Sequence, residues 1–211
     1  MTYVKASVRR PAGNPGNGIQ PKDQLVIYDV DDILSFPQRN DAGVVIEDDI
    51  VMKAGRYAIG IYLTPGTAEI SSNSDGETDA EGYTPSVKFN HPGNEQEIRE
   101  FKTNWLSKKC IVVLRYCSGK PADLIGTPCN PCKLSVSYTG SNESNTNELT
   151  FTQISKGDDI AIYRGTDTLE EPVAVVEAGA TDIDYQTDGQ YQLSAGAAKI
   201  AGVTGGSHGS V

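Results

Sequence analysis

Between His91 and Cys117 the spacing of apolar positions changes once, from helical to continuous. Ile98, Phe101, Trp105 and Leu106 recur at helical spacing and form one apolar stripe. Cys110-Ile111-Val112-Val113-Leu114 is then an unbroken apolar run with β-branched residues in its middle. The first pattern predicts a helix over about 94–108, the second a strand buried on both faces. Asn94 with Glu97 three residues on is a capping-box arrangement, and His91-Pro92-Gly93 blocks extension upstream. Glu95, Glu97 and Glu100 come early and Lys102, Lys108 and Lys109 late, the order the helix dipole prefers. Ile98, Phe101, Trp105 and Leu106 are the expected core contacts of this helix, with Trp105, the single tryptophan, anchoring it across a sheet.

Elsewhere the pattern is one of short strands. Residues 1–10, with Tyr3, Val4 and Val8, predict a first strand or an arm that pairs with a neighbour. The run 24–29 predicts a strand, followed by the acidic turn Asp29, Asp31 and Asp32. Val44 to Met52 and Tyr57 to Leu63 predict two strands of a long hairpin joined by Lys53-Ala54-Gly55-Arg56. Such a hairpin pairs either within its own sheet or with the next copy of the chain. The segment 64–83 reads as a long polar loop and 86–90 as a short strand leading to the helix. After it, 118–131 reads as a Gly/Pro loop, and 133–139 and 149–154 as two alternating strands. Strands are also expected at 159–163, 173–177 and 191–193. No exact internal repeat occurs. The expected organisation is one β domain over 1–193 and a flexible Gly/Ala-rich tail over 194–211.

Composition sharpens this picture. In 211 residues there are 22 Gly and 11 Pro, which favours many turns and few long helices. Eighteen Lys and Arg against 28 Asp and Glu give a formal charge of −10, contrary to the basic patch of a nucleic-acid backbone binder. No apolar stretch approaches the roughly 20 residues of a membrane span. No apolar core follows the N-terminal residues, so a cytoplasmic origin without a signal peptide is expected.

Candidate chemistry is sparse. Cys110, Cys117, Cys129 and Cys132 have the spacing C-x6-C-x11-C-x2-C, which is not that of a zinc ribbon. Reduced thiols are the expectation, ahead of a metal site or a disulfide. Asp29, Asp31 and Asp32 lack the Gly and the distal Glu of an EF-hand loop. Neither His91 nor His208 has a nucleophile and acid in a triad-like context, and no phosphate-binding or dinucleotide fingerprint occurs. No catalytic residue, metal or cofactor is expected, and the chain reads as a structural subunit instead of an enzyme.

Residues 88–119 (KFNHPGNEQEIREFKTNWLSKKCIVVLRYCSG) and 126–166 (GTPCNPCKLSVSYTGSNESNTNELTFTQISKGDDIAIYRGT) resemble the major tail tube proteins of long-tailed bacteriophages, particularly those of phages of Bacteroides-type hosts. The resemblance covers roughly 86–166 and rests on the order helix, buried strand, Cys-containing loop and alternating hairpin. It implies a mainly β fold, a β-sandwich or rolled barrel with one flanking helix and a long extended hairpin, as in the ring protein of type VI secretion systems. It implies a homo-oligomer: hexameric rings stacked into a tube in the virion tail, assembled in the host bacterial cytoplasm. Other tail proteins are the implied partners; viral DNA passes through the lumen without specific binding, and no membrane is involved. The implied interface lies on the 44–63 hairpin, through Ile46, Ile50, Tyr57, Ile59 and Ile61. The loops 12–20 and 64–83 and the C-terminal segment are implied to contact other rings or surrounding proteins. Two other classes share parts of this profile. One is a head-decoration or other capsid accessory protein. The other is a carbohydrate-binding module, for which Tyr62, Tyr83 and Tyr138 are the exposed-aromatic candidates.

Overall fold

The computed structural model describes residues 5–117 and 119–169, together with the backbone of Ile183–Tyr185 and Tyr191–Leu193. Internal contacts divide the chain into Met1–Glu170 and Glu171–Val211, ahead of the boundary expected at 193.

In chain order the first unit contains β1 (Pro21–Asp29), β2 (Ile33–Ser35), β3 (Val45–Ile46), β4 (Val51–Met52), β5 (Ile59–Tyr62), β6 (Glu69–Asp75) and β7 (Gly82–Pro92). Helix α1 (Gln96–Trp105) follows, then β8 (Cys110–Tyr116), β9 (Ala122–Ile125), β10 (Cys132–Gly140), β11 (Asn145–Gln153) and β12 (Ala161–Tyr163). Among the described residues the fold is mainly β with one α-helix, as the pattern of the chain predicts, and its main sheet is mixed. In the second unit β13 (Ile183–Tyr185) pairs antiparallel with β14 (Tyr191–Leu193), the latter an expected strand. The expected strand 173–177 and the expected flexible tail 194–211 lie outside the described residues.

The sheet branches at β8. One of its edges pairs with β1, Leu25 opposite Leu114 and Ile27 opposite Val112, and β5 pairs in turn with β1. The other edge is shared. β9 takes Val112 to Leu114, and β10 meets β8 only where Cys132 lies opposite Cys110. From β10 one arm continues through β11 and β7 to β6, and from β9 the other runs through β12 to β3. The β3–β12 pairing is parallel and the others are antiparallel.

This branching explains why β1 and β8 are buried on both faces. Leu25, Ile27, Cys110, Val112 and Leu114 face one core, with Val87, Phe89, Leu134, Leu149 and Phe151. Val26, Tyr28, Ile111 and Val113 face a second, with Ile46, Ile50, Ala58, Leu124, Ala161 and Tyr163. Successive side chains alternate between faces, so a continuous apolar run serves two cores at once.

Several expectations are corrected. The long hairpin over 44–63 does not form: β3 pairs with β12, β4 with β2, and β5 with β1. Its acidic middle is the reason, because Glu47 and Asp49 turn outward to bond Arg164 and Thr166. Residues 5–10 form no strand. The segment 64–83 is not one loop, since β6 pairs along β7 from Glu69 opposite Lys88 to Asp75 opposite Gly82. β7 accordingly runs 11 residues, well beyond the short strand expected at 86–90. β9 lies inside the expected loop 118–131.

The helix is shorter than expected and more peripheral. Its N-cap is Glu95, without a side-chain cap bond. The capping box fails because Asn94 Oδ1 accepts from Lys102 Nζ (2.9 Å), which also donates to Asn147 Oδ1 (2.6 Å). Asn147, fully buried on β11, donates in turn to the Gly93 carbonyl. Ile98 alone of the helix is fully buried; Phe101 and Trp105 pack against the core from its rim, their rings stacked at 5.6 Å. Leu106, expected in the core, is 54% exposed, because it lies past the last helical turn.

Candidate functional site

A sheet that branches leaves ends. The path β6–β7–β11–β10–β8–β1–β5 ends on β6 at one extremity and β5 at the other, and neither has a second strand partner among the described residues. These edges are the groups through which another chain can be joined by backbone hydrogen bonds.

β5 exists as an edge because of what precedes and follows it. Ala58, fully buried, donates its N–H to the Thr168 carbonyl (3.0 Å), so the segment before β5 is fixed by the end of the first unit. The Gln24 side chain crosses the strand at Gly60, where a Cβ would lie 1.9 Å from its amide nitrogen and would turn that side chain aside. Leu63 N–H donates to the Asp23 carbonyl and Thr64 N–H to the Asn90 carbonyl, which ends the strand. His91 Nδ1 lies 3.0 Å from the Tyr62 carbonyl oxygen, with the two rings edge-on. Tyr57 and Tyr62 are exposed beside this edge.

β6 is polar, EISSNSD, and only Ile70 packs toward the core. Lys88 pairs with Glu69 at 3.1 Å and Lys156 with Asp75 at 3.0 Å, so both ends of the edge carry charges. Lys156 holds the exposed Asp75 carboxyl below the usual carboxylate range. Charged ends of this kind discourage indiscriminate pairing; between them the Ser71 and Ser72 hydroxyls bond Ser86 and Asp159, and Asn73 and Ser74 are exposed.

Of the expected interface residues, Ile46, Ile50 and Ile61 are withdrawn into the two cores, at 0%, 3% and 7% exposure. They read as contact residues of one hairpin, but Ile46 on β3, Ile50 just before β4 and Ile61 on β5 are each buried separately. Ile59 is half-buried against the first core, and Tyr57 is 48% exposed. The structure thus brings Tyr57, Ile59 and Ile61 to the β5 edge and places Ile46 and Ile50 elsewhere.

Polar side chains missed by the pattern fasten the second core. Tyr28 Oη donates to Asp167 Oδ1 (2.7 Å), and Arg115 pairs with the other Asp167 oxygen and donates to the Gly165 carbonyl. Tyr163 Oη accepts from Ile50 N–H and donates to the Thr166 carbonyl, both at 3.2 Å. Burial and the adjacent Asp167 carboxylate push the Tyr28 hydroxyl well above its ordinary range. Asp49 accepts from the backbone N–H and hydroxyl of Thr166, which hold its carboxyl below the usual range. None of these contacts has a periodic signature. Asp29 is another: read as part of a solvated turn, it is buried, caps the turn at Asp31 N–H and pairs with Lys108.

The thiols divide cleanly. Cys110 and Cys132 are buried, Cys117 and Cys129 exposed, and all four are free. Burial pushes Cys110 up to about 12 and Cys132 higher still, which makes both poor nucleophiles. Among the described residues no group of three His, Cys, Asp or Glu side chains is placed to hold a metal ion. Among the same residues no helix is long and apolar enough to cross a membrane. Tyr62, Tyr83 and Tyr138 are each exposed; Tyr62 stands beside His91 and Tyr138 under Lys102, 5.1 Å from its ring centre. No protein-family model, curated protein or solved structure matches this chain.

Proposed function

We propose that this chain is the structural subunit of a bacteriophage tail tube, forming stacked hexameric rings around a DNA-conducting lumen. The observation that carries the reading is the pair of unpartnered edges at the two ends of one sheet path. A β6 edge on one copy meeting the β5 edge of the next is a head-to-tail contact, which yields a ring when the rotation closes. Two further points support it. The residues that resemble tail tube proteins, about 86–166, are the contiguous body from β7 to β12, and the chain's −10 charge suits a lumen along which DNA slides without adhering. In this reading the implied interface moves from the 44–63 hairpin to β5 and β6, with Tyr57, Ile59 and Tyr62 flanking the contact.

Negative-stain microscopy of the purified protein at neutral pH tests it. Hexameric rings or tubes are expected. A monomer that binds a glycan through Tyr62 or Tyr138, or a trimer that binds only a preformed capsid shell, overturns the reading.

A further inference from the structure

We propose that Cys110 and Cys132 are an oxidisable pair whose disulfide staples the β10–β11–β7–β6 arm of the sheet to β8, formed by exchange with a small-molecule disulfide such as oxidised glutathione. The two residues are directly opposite across β8 and β10, and theirs is the one pairing that joins the β10–β11–β7–β6 arm to β8. Directly opposed antiparallel residues have Cα atoms about 4.5–5.5 Å apart, inside the span a disulfide bridges. Both side chains point into the same core, and the Cys110 thiol donates to the Cys132 carbonyl at 3.3 Å, so one sulfur already lies against the other residue. Gly126 maintains this close approach. At φ +92°, it abuts the pair, and a Cβ there would lie 3.1 Å from Cys132 Sγ and 3.3 Å from the Cys110 carbonyl oxygen.

The chemistry is two successive exchanges. One cysteine, as thiolate, attacks a sulfur of the small disulfide, forming a mixed disulfide and expelling one small thiolate. The second cysteine loses its proton and attacks the protein sulfur of that mixed disulfide, expelling the second small thiolate. The chain loses two hydrogens, and the reagent is reduced to two thiols. Both cysteines are wholly buried, so the first attack waits for the seam between β8 and β10 to open. Oxidation is therefore slow in the closed fold and accelerates under mild denaturant, whereas the exposed Cys117 and Cys129 react at once. The staple is absent in a reducing compartment and forms after transfer to an oxidising one.

The test uses the full chain carrying Cys117→Ser and Cys129→Ser, incubated with oxidised glutathione with and without sub-denaturing urea. The expected product carries no interchain disulfide, has lost both remaining thiols and two hydrogens of mass, and yields a Cys110–Cys132 cross-linked peptide. Its melting temperature rises by roughly 5–10 °C and returns to the starting value on reduction. Retention of both thiols in urea, arrest at the mixed disulfide, or an oxidised form that melts lower than the reduced one would each overturn the proposal. Disulfide-linked dimers would overturn it equally. None of these outcomes depends on tube formation.

Discussion

The two faces of β8 are built differently. On one side Phe89 and Phe151 stack at 6.3 Å among Leu25, Ile27, Val87 and Leu149, on strands of nine to 11 residues. Backbone ladders hold these strands, and their centre needs only close packing. On the other side β3 has two residues, β12 three and β9 four. Strands so short supply few ladder bonds. Tyr28, Tyr163, Asp167, Arg115 and Asp49 supply side-chain bonds in their place. One core is held by shape, the other by polar ties to the loop 164–168.

Breaking each side should therefore look different. Phe151→Ala removes a fully buried ring from the centre of the first core and is expected to cost about 3–5 kcal/mol, measured by urea denaturation. Phe151→Leu, which keeps most of the volume, should recover over half of that. Asp167→Ala in the second core is expected to cost about 2–4 kcal/mol, because Tyr28 Oη and Arg115 lose their common acceptor. No apolar replacement at 167 should recover it, whatever its volume. If Asp167→Leu restores stability, the second core is held by packing and the contrast fails.

The same contrast explains what the sequence discloses. The two-faced burial of β8 and the alternation of Leu134 on β10 and Leu149, Phe151 and Gln153 on β11 are legible, because a long strand repeats its pattern often enough to be recognised. β3, β4 and β5 are too short for that. Ile46, Ile50 and Ile61 read as contact residues of one hairpin, while the β3–β12 pairing, the Ile50 N–H bond to Tyr163 Oη and the β5–β1 pairing decide where each lies. β6 was hidden for another reason: EISSNSD carries almost no apolar signal and is a strand only because β7 lies beside it. The helix was visible through Ile98, Phe101 and Trp105, but its cap was not. Lys102, a neighbour on the helix, and Asn147, 53 residues beyond Asn94, claim the polar groups that a local reading assigns to the cap.

The helix supplies a prediction of intermediate size. Trp105 stacks on Phe101 and lies under Lys108, its ring centre 5.1 Å from the ammonium, and is only half-buried. Trp105→Ala is expected to cost about 1–3 kcal/mol, less than Phe151→Ala, since the rim collapses more readily than the centre. A loss above that of Phe151→Ala would make the helix, and not the β7–β11 stack, the centre of the first core.

The smallest effect, thiol by thiol, is in alkaline solution. Cys110 is raised by burial from an ordinary 9.0 to about 12, and Cys132 is raised likewise. Between those values the unfolded chain gives up thiol protons that the folded chain retains. The unfolded state then binds fewer protons, so stability falls as pH rises from about 9 and levels off above the folded value. At pH 10 the loss is roughly 1.4 kcal/mol per thiol. Tyr116 of the first core and Tyr28 and Tyr163 of the second are raised by burial from 10.0, so their loss begins about one pH unit later. Replacing both buried cysteines by alanine lowers stability at pH 7 but should flatten its decline between pH 9 and 10, leaving the later tyrosine decline in place. A series of urea midpoints across pH 8–11 reads both segments. An unchanged slope below pH 10 in the double variant would assign the first decline to groups outside the Cys110–Cys132 seam.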